Sequence, residues 1–597
     1  MTEKSGGEPG AKTGNRWSRI LAVAGLVFFL GGQGVPIHRA VAAHPWQTGA
    51  VVLLAAFAVS GPRRDRLRDI AEALFRVPRL RFNGGVFAVS CLAYALVARL
   101  VFQGIPRIDD GSAALFQARL FALGKIALPL PEDAAFFEAL GVLGNQAGLG
   151  HWCAMYPPGW PLLLTPGVWL GVPWLVNPIL GGLLVVTIGE LGRNFYGDRT
   201  GRVAALLALP SPLVAVLSGL HLSHVPTALA CGLCLLGLRK LWETARWIWG
   251  GLAGVSWGIA FLCRPLDAAL IGAIFALGFF FPPNRFRRCG RGIAAGLAMA
   301  LVAIALLLAY QEAATGDWRT PGHVVGMGAR GHFGFGRLDK ARIHTPAIGV
   351  DYVFRRLRVL NDHLLGWPIP ALLLVMLPFV LGRAGGNGIL LLLPMPALLL
   401  AYACFWYYEN CVPGRYLSAA FPFLFVLAAR GWFALRDALA SRIRWRWLPA
   451  FLLVSGTLFL AVGAPDYWKR YDQSYYDVED VLPRVVRDYG IAHAVVFMEA
   501  IGRKPNEKGI YNDYYATGFM RNRLDATGDV LYVRNLRERN VRMIQRHPGR
   551  TYWLYRYYRF TGKATLHRMV PDGNEWRLVP VKPATPDLIE MPEPPSP

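Results

Sequence analysis

Charged residues are scarce in this sequence: only 17% of its 597 residues are Asp, Glu, Lys or Arg, whereas 54% are hydrophobic. So few charges exclude an ordinary water-soluble protein and indicate a polytopic membrane protein. Acidic residues are the scarcer sign, with 38 Asp and Glu against 63 Lys and Arg. Cytoplasmic loops of membrane proteins collect Lys and Arg, and anionic lipids attract them, so the net charge of +25 does not call for a nucleic-acid partner.

Cysteine is also rare. The eight cysteines are scattered, mostly in apolar segments, which excludes a disulfide framework and a zinc site. Cys231 and Cys234 form a C-x-x-C pair, but the surrounding ALACGLCLLGL is typical of a membrane span and favours helix packing over a redox role. The phosphate-binding pattern G-x-x-x-x-G-K-[ST] is missing as well, so nothing in the sequence indicates ATP-driven transport.

Long hydrophobic runs, by contrast, are abundant. A helix needs about 17–25 apolar residues to cross a bilayer, or somewhat fewer when its ends carry interfacial side chains. The sequence predicts about thirteen such helices, and therefore a polytopic α-helical membrane protein. They lie near residues 19–37, 48–60, 84–104, 174–192, 203–220, 225–239, 247–262, 266–282, 291–311, 365–382, 387–404, 416–435 and 446–464.

The arginine-rich loops set the predicted orientation. All of them fall on one side of the membrane if the N-terminus is cytoplasmic, as positive loops should. They are 61–82, 193–202, 239–246, 282–291 and 436–447. The opposite side then receives a first outside loop (105–173), a Gly/Arg-rich outside loop (312–364) and the C-terminal tail. The Gly/Arg-rich outside loop is long enough to cross despite its charge, but its arginines need another explanation.

Four regions follow from this pattern. Residues 1–83 hold an N-terminal tail, two extra spans and a basic loop, and residues 84–465 form the main transmembrane domain. In residues 466–580, the segments AHAVVFMEA, GDVLYVRNL and RTYWLYRYYRF predict strands, with a helix before the last of them. This indicates a C-terminal extracytoplasmic α/β domain, and the Pro-rich residues 581–597 are typical of a disordered tail.

Two adjacent carboxylates open the first outside loop. Asp109 and Asp110 precede an amphipathic segment that predicts a helix over Ser112–Lys125. They could simply cap this helix, as acidic residues at a helix N-terminus do. One acid would be enough for a cap, and charges beside hydrocarbon are costly, so we expect a catalytic or ligand-binding role for at least one of them.

Further along the first outside loop, YPPGWP (156–161) cannot begin as a regular helix and predicts an interfacial turn, with Trp160 in an aromatic belt. After the next spans, SGLHLSHVPTA places His221 and His224 three residues apart at an outside boundary. On a helix the two imidazoles would share a face. They could form a proton relay or a metal pair with an aspartate, or be ordinary interfacial polar residues.

Several arginines are candidates for binding an anion. Arg264 in FLCRPLDA and Arg415 in FWYYENCVPGRY lie at outside boundaries, where they could reach lipid headgroups or clamp a phosphate. Arg415 is the favoured one.

GMGARG (326–331) matches G-x-G-x-x-G but has no βαβ context, so it indicates a mobile loop. With Arg330 and Arg337, that loop could close over an anionic substrate.

In this order, the motifs resemble the GT-C class of membrane glycosyltransferases, which includes the protein O-mannosyltransferases and the lipid A aminoarabinose transferases. The likeness spans roughly residues 84–560. It rests on DGSAALFQA (110–118), which follows the family's D-x-x-x-Y-x-x-Q-A loop except at the tyrosine, and then on YPPGWPLLL, LSHVP, RPLDA, ATGDWRTP and GRY. Counting back from Gln117, Asp110 takes the family's aspartate position. Gly111 stands where a second acid is often found, and Ala114 replaces the family tyrosine.

The resemblance implies that a sugar passes from a polyprenyl-phosphate donor to an unknown glycan, lipid or protein acceptor. The reaction would take place at the outer face of a bacterial inner membrane. Asp110 would be the general base, helped by Asp109, and inversion is expected. No cofactor is required, although the acid pair could hold a divalent cation. Donor-phosphate contacts are expected from Arg415, Arg264, Arg330 and Arg337, and a relay or substrate contacts from His221, His224, Tyr156 and Gln117.

Two other functions compete with this one. A transporter or flippase of lipid-linked sugars would use the same arginines, but it usually shows paired, interrupted spans in two related halves, and the sequence has no such symmetry. An O-antigen ligase or polymerase also works at the outer face, through a late loop. Asp110 distinguishes them, since only the glycosyltransferase needs it for turnover.

Overall fold

The computed structural model of the chain describes residue 73 and residues 75–589, apart from 145–146, 281–283, 340–341, 367–370, 410, 440–479, 502–517, 559–562, 574 and 587. The predicted spans near 19–37, 48–60 and 446–464 lie outside the described residues. Nearly all of the N-terminal region 1–83 and about half of the predicted disordered tail 581–597 also lie outside the described residues.

Helices form most of the described chain before residue 440, as the apolar runs predict. In chain order they are α1 (Arg79–Leu96), α2 (Asp109–Ala122), α3 (Gly159–Trp169), α4 (Val176–Tyr196), α5 (Asp198–Ala208), α6 (Pro212–Gly219), α7 (His224–Thr244), α8 (Trp247–Cys263), α9 (Pro265–Phe280), α10 (Asn284–Thr315), α11 (Gly322–Met327), α12 (Pro346–His363), α13 (Ala371–Val380), α14 (Gly388–Leu392), α15 (Pro394–Ala403) and α16 (Phe421–Leu439). A 3-10 turn, Arg415–Ala420, leads into α16.

Fewer helices than predicted have the full length of a span. Within the described residues, five helical segments are long and apolar enough to cross a membrane, or six if one bent pair counts as a span. The five are Arg79–Val101, Pro173–Tyr196, His224–Thr244, Arg288–Thr315 and Arg415–Ala438. Shorter apolar helices account for Trp247–Cys263, Pro265–Gly278, Ala371–Val380 and Gly388–Ala403. The chain therefore has the character of a multi-pass membrane protein, and the predicted number of thirteen spans, three of which lie outside the described residues, is not confirmed.

The predicted span near 203–220 is not a straight helix: the chain bends by 62° between α5 and α6, and the two helices are apolar and long enough for a span only when they are taken together. The break falls at Pro210-Ser211-Pro212, and proline removes a helical hydrogen bond and clashes with the preceding turn. Ser211 stabilises the bend: its hydroxyl donates to the Leu364 carbonyl at 2.6 Å and accepts from the Val214 amide as the N-cap of α6.

Helices α8 and α10 pack with their backbones almost in contact. A Cβ atom on Gly254 would overlap the Gly296 carbonyl oxygen, so no larger side chain fits at this position. Small residues that allow such close approach are typical of helix interfaces in membranes. This contact fixes the course of α8, whose last residue, Cys263, directly precedes Arg264.

We expect Gly254→Val to lower the thermal unfolding temperature clearly, because overpacking of a tight contact costs about 1–3 kcal/mol or more. Gly251→Val is the matched control on the same helix, since a Cβ atom there would meet only the Ala295 Cβ, at 3.9 Å. Thermal unfolding of both variants in the same detergent measures the difference. Equal melting temperatures would show that the two helices separate without cost.

A five-stranded sheet follows residue 480. Its strands are β6 (Ala494–Ile501), β7 (Val530–Arg534), β8 (Thr551–Tyr558), β9 (Lys563–Asp572) and β10 (Glu575–Pro580), numbered after five short strands described below. The order is β10-β9-β8-β6-β7; β7 and β8 run parallel to β6, and the β8–β9 and β9–β10 pairs are antiparallel. Helices Val481–Asp488 (α17) and Asn540–Arg546 (α18) accompany it. The three strand motifs form strands, and the predicted helix between the last two is α18.

The short strands lie in the two outside loops. β1 (Leu128–Pro129), β2 (Val142–Leu143) and β3 (His151–Ala154) form a small sheet in the first outside loop, and β4 (Gly336–Arg337) pairs with β5 (Ile343–His344) in the Gly/Arg-rich outside loop.

The C-terminal sheet packs directly on the first outside loop. Phe116 of α2 and Trp152 of β3 share a core with Phe519, at ring distances of 5.5 and 6.1 Å. Arg534, the last residue of β7, forms a 2.9 Å ion pair with Glu138. These contacts support α2, the helix that begins with the two carboxylates.

Candidate functional site

Asp109 and Asp110 form the first turn of α2, which begins three residues earlier than predicted. The residue at the N-cap position is Ile108, and no side chain makes the capping hydrogen bond. Both carboxylates still benefit from the helix dipole, but neither is a cap in the ordinary sense. Asp110 instead points to two residues that are distant in sequence.

The Asp110 carboxylate binds one partner with each oxygen. The Tyr156 hydroxyl donates to Oδ1 at 2.5 Å, and Nη2 of Arg415 donates to Oδ2 at 3.2 Å. The Asp110 side chain keeps 32% of its surface exposed, whereas that of Arg415 keeps 4%. The carboxylate is therefore held by enclosed partners while one side of it remains open to an incoming molecule.

Arg415 has unused donors. It follows Gly414, which has a φ of 83°, and begins the 3-10 turn before α16. Among the described residues, its buried Nε and Nη1 atoms have no hydrogen-bond partner. Buried polar groups are normally paired, and a guanidinium presents its donors as a planar fork that suits phosphate. The arrangement can therefore bind an anion beside the Asp110 carboxylate.

Tyr156 is fixed as a hydrogen-bond donor. Burial is the main reason why the pKa of the Tyr156 hydroxyl lies well above its usual value, and the negative charge of Asp110 is the second.

The prediction that YPPGWP does not begin a helix holds only up to Pro158, because α3 begins at Gly159. The aromatic-belt prediction is wrong for Trp160, which is buried and donates to the His221 carbonyl at 3.0 Å.

The two departures from the family pattern lie in closely packed surroundings. A Cβ atom on Gly111 would lie 3.1 Å from the His221 carbonyl oxygen, which is closer than most Cβ contacts. Ala114 is buried in one cluster with Trp160 and Leu164. The phenol that contacts Asp110 is that of Tyr156.

His221 and His224 do not share a helix face, because α7 begins at His224 and His221 precedes it. His221 is buried next to Gly111, and neither of its ring nitrogens has a partner within the described residues. His224 Nε2 lies 3.2 Å from Nη1 of Arg264. Across the same described stretches of the chain, no group of three or more His, Cys, Asp or Glu is placed to hold a metal.

The burial of His221 predicts a pH-dependent stability. Burial lowers the pKa of His221 to about 4, below its usual 6.5, so the folded protein holds a neutral imidazole where the unfolded chain binds a proton. We expect the melting temperature to fall as the pH drops from about 6.5 toward 4. His221→Gln should lose less stability over this interval than wild type does. His493→Gln, at an exposed imidazole, is the control; a drop as large in His221→Gln as in wild type would contradict the assignment.

Arg264 is engaged in a buried network. Its Nε donates to Asp267 at 2.6 Å, and its Nη2 donates to the Tyr402 hydroxyl at 2.5 Å. The Tyr402 hydroxyl in turn donates to the other oxygen of Asp267, also at 2.5 Å. Asp267 is completely buried, so the Arg264 charge already has a counter-ion. Arg264 lies 5.4 Å from the Tyr416 ring and therefore borders the Arg415 site, but its fork is less free than that of Arg415.

The Gly/Arg-rich outside loop packs against the segment before Arg415. Phe333 stacks on Phe405 with ring centres 4.8 Å apart, and the Arg330 carbonyl accepts a hydrogen bond from Trp406 at 2.6 Å. The Arg330 guanidinium lies 3.9 Å from the Asp339 carboxylate, and Arg337 is exposed on β4. The loop thus borders the site, but the structure does not bring these two guanidinium groups onto Asp110.

Gln117 lies inside the fold rather than in the open side of the site. It is completely buried, its amide nitrogen donates to the Ile126 carbonyl at 2.8 Å, and its oxygen accepts from the Ala154 amide at 2.9 Å. These bonds fasten α2 to β3, two residues before Tyr156. The side chain therefore helps to bring Tyr156 to Asp110.

Sequence reasoning missed a completely buried ion pair between Arg356 of α12 and Glu409. Arg356 Nη2 lies 2.8 Å from one Glu409 oxygen, and both side chains have no exposed surface. The only signal was the unexplained arginine content of the Gly/Arg-rich outside loop, to which Arg356 belongs. The sequence around an arginine does not indicate which acidic residue it pairs with in the folded protein.

Comparison with solved structures finds distant likenesses to membrane enzymes. The apo form of ArnT from Cupriavidus metallidurans is 12% identical, covers 79% of this chain and 92% of its own, and gives a TM-score of 0.48. The undecaprenyl phosphate complex of that protein has the same identity and coverage with a TM-score of 0.45. The oligosaccharyltransferase AglB from Archaeoglobus fulgidus, in complex with an inhibitory peptide and a dolichol-phosphate, is 11% identical, covers 80% of this chain and 69% of its own, and gives 0.39. Similarity at this level carries no argument about individual residues.

The sequence itself matches one family. No curated protein matches the chain. The family model described as dolichyl-phosphate-mannose-protein mannosyltransferase matches residues 172–328, a segment that contains both histidines and Arg264 but neither Asp110 nor Arg415. The match confirms the resemblance that the order of the motifs predicts: this chain is similar to the GT-C class of membrane glycosyltransferases.

Proposed function

We propose that this chain transfers a hexosyl or pentosyl group from a polyprenyl-phosphate donor to an acceptor hydroxyl at the outer face of the bacterial inner membrane. The observation that carries the proposal is the pair of Asp110 and Arg415. An open carboxylate lies beside a buried guanidinium whose Nε and Nη1 have no partner in the described structure. One group suits a proton acceptor, and the other suits a phosphate.

The reaction needs only these two functions. Asp110 takes the proton of the acceptor hydroxyl as its oxygen attacks the anomeric carbon of the sugar. The bond between that carbon and the phosphate oxygen breaks, and the polyprenyl phosphate leaves with the electron pair. Arg415 stabilises the charge that develops on the phosphate, in a site that is largely withdrawn from water. A single displacement of this kind inverts the anomeric centre.

The remaining candidates have supporting roles in the proposal. Tyr156 holds the Asp110 carboxylate in place through its 2.5 Å hydrogen bond, and Asp109 adds a second negative charge to the same helical turn. Arg330 and Arg337 would approach the donor when the Gly/Arg-rich outside loop closes. The proposal uses no cofactor, and transfer that survives treatment with EDTA would exclude the divalent-cation alternative.

Native mass spectrometry of the protein, purified gently from its own membranes, tests the proposal. We expect a retained polyprenyl phosphate or its glycoside, and the mass of the glycoside identifies the class of sugar. Incubation with cell-envelope extract should convert the glycoside to bare polyprenyl phosphate. If only bulk phospholipid is retained, and an added polyprenyl-phosphate sugar is never converted, the proposed function is wrong. A bound glycoside that persists in the presence of extract would favour the transporter, which the family match does not.

A further inference from the structure

We infer that Glu409, whose charge a buried ion pair with Arg356 neutralises, positions Arg415 through the Gly414 amide and thereby sets the affinity for the donor phosphate. The inference rests on the proposed function. Neither residue touches the donor: both side chains are completely enclosed, and they act through the turn that carries Arg415.

The pair is held by multiple contacts. Nε of Arg356 lies 3.0 Å from each Glu409 oxygen, Nη2 lies 2.8 Å from one of them, and Nη1 donates to the Tyr402 carbonyl at 3.0 Å. Burying two charges is expensive, and apolar residues of similar volume often stabilise a protein as well or better. Such a pair is explained if it holds a neighbouring part of the chain in one conformation. The neighbouring part here is the turn that carries Arg415.

Glu409 is bonded to the turn that precedes Arg415. Its Oε1 accepts a hydrogen bond from the Gly414 amide at 3.2 Å, and the Arg415 amide donates to the Val412 carbonyl at 3.2 Å. On the other side, a Cβ atom on Gly414 would lie 2.9 Å from Val359 of α12, so the turn also packs against the helix that carries Arg356. The peptide before Arg415 is therefore fixed from two sides.

Charge is the second link. The guanidinium groups of Arg356 and Arg415 lie 5.6 and 5.4 Å from the centre of the same ring, that of Tyr416. Arg264, which is already paired with Asp267, is a third cation beside this ring, and such cations would repel one another if they had no counter-ions. The Glu409 carboxylate neutralises Arg356, which leaves the charge of Arg415 available to Asp110 and to an anionic ligand. It also explains why the Gly/Arg-rich outside loop contains Arg356, which the preference of positive residues for cytoplasmic loops does not explain.

Two double variants isolate the hydrogen bond to Gly414 without leaving a buried unpaired charge. Arg356→Met with Glu409→Gln keeps an amide oxygen for the Gly414 N–H, and Arg356→Met with Glu409→Leu removes it. The probe is undecaprenyl phosphate, titrated into purified protein and followed by native mass spectrometry. We expect the Gln variant to bind within about 3-fold of wild type and the Leu variant about 10-fold more weakly, because an unpaired N–H lets the turn move.

A coupling measurement separates positioning from general loss of structure. In an Arg415→Ala background, the same two double variants should bind the probe equally, since there is no guanidinium left to aim. Equal affinity of the two double variants with Arg415 present would overturn the inference while leaving the proposed function intact. Wild-type protein that does not bind the probe at all would refute both.

Discussion

Asp110→Asn should reduce sugar transfer by about 10²–10⁴-fold, the usual contribution of a general base. Asparagine has the same shape, and its carbonyl oxygen can still accept from the Tyr156 hydroxyl, which lies 2.5 Å from Oδ1 in wild type. What it loses is the ability to take a proton. Because Arg415 also loses its anionic partner, we expect donor binding to be retained. The measurement is the turnover of the retained glycoside together with its occupancy.

Asp109→Asn is the matched control, because it makes the same chemical change one residue away in the same helical turn. We expect a much smaller loss of turnover from it, and thermal unfolding close to that of wild type for both variants. If Asp110→Asn transferred sugar at the normal rate while folded, the carboxylate would not be the base, and the ligase or transporter alternative would regain weight. If both variants lost activity equally, the two acids would act as a pair.

Arg415→Ala should release the donor lipid. Truncating one partner of a buried, hydrogen-bonded charge pair costs about 2–5 kcal/mol of binding, which corresponds to roughly 30-fold to more than 10³-fold. The two unpartnered nitrogens of Arg415 suggest an effect at the upper end of that range. Native mass spectrometry should therefore show polyprenyl phosphate on wild type and not on the variant. Arg415→Lys should lie between them, because lysine keeps the charge but not the fork.

Arg430→Ala is the control for this change. Arg430 lies on α16, fifteen residues beyond Arg415 and therefore roughly 22–26 Å away along the 3-10 turn and the helix. Its Nε donates to the Arg383 carbonyl at 2.9 Å, so it also loses a real contact. We expect this variant to retain the lipid. Equal retention by Arg415→Ala and Arg430→Ala would mean that the donor phosphate binds elsewhere.

Several features were predictable from the sequence because they depend on composition and local order. The excess of apolar residues requires a membrane or a very large core, and the helices in the described residues follow the apolar runs. The prolines at 210 and 212 were visible too, but their effect on the predicted span at 203–220 was missed. A span prediction counts hydrophobicity over a window, whereas the bend depends on two residues within it.

Recognition of Asp110 and Arg415 as candidates also needed only local information. A pair of carboxylates beside hydrocarbon is costly, and an arginine behind a Pro-Gly turn is held in one direction. The sequence could not show that these residues meet, because Tyr156 and Arg415 lie 46 and 305 positions from Asp110. It favoured Arg415 but kept Arg264 as a second candidate, and only the structure shows that Asp267 already neutralises Arg264.

The sequence by itself thus determined the class of protein, the approximate positions of its apolar helices and the residue types available for the chemistry. Those follow from the transfer of side chains between water and hydrocarbon, which each segment undergoes independently. Only the tertiary structure decided which charges are paired, which donors are left unused and that Arg356 meets Glu409 out of contact with water. Pairing depends on distances between segments that are far apart in the chain, and those distances are set by helix packing rather than by any one segment.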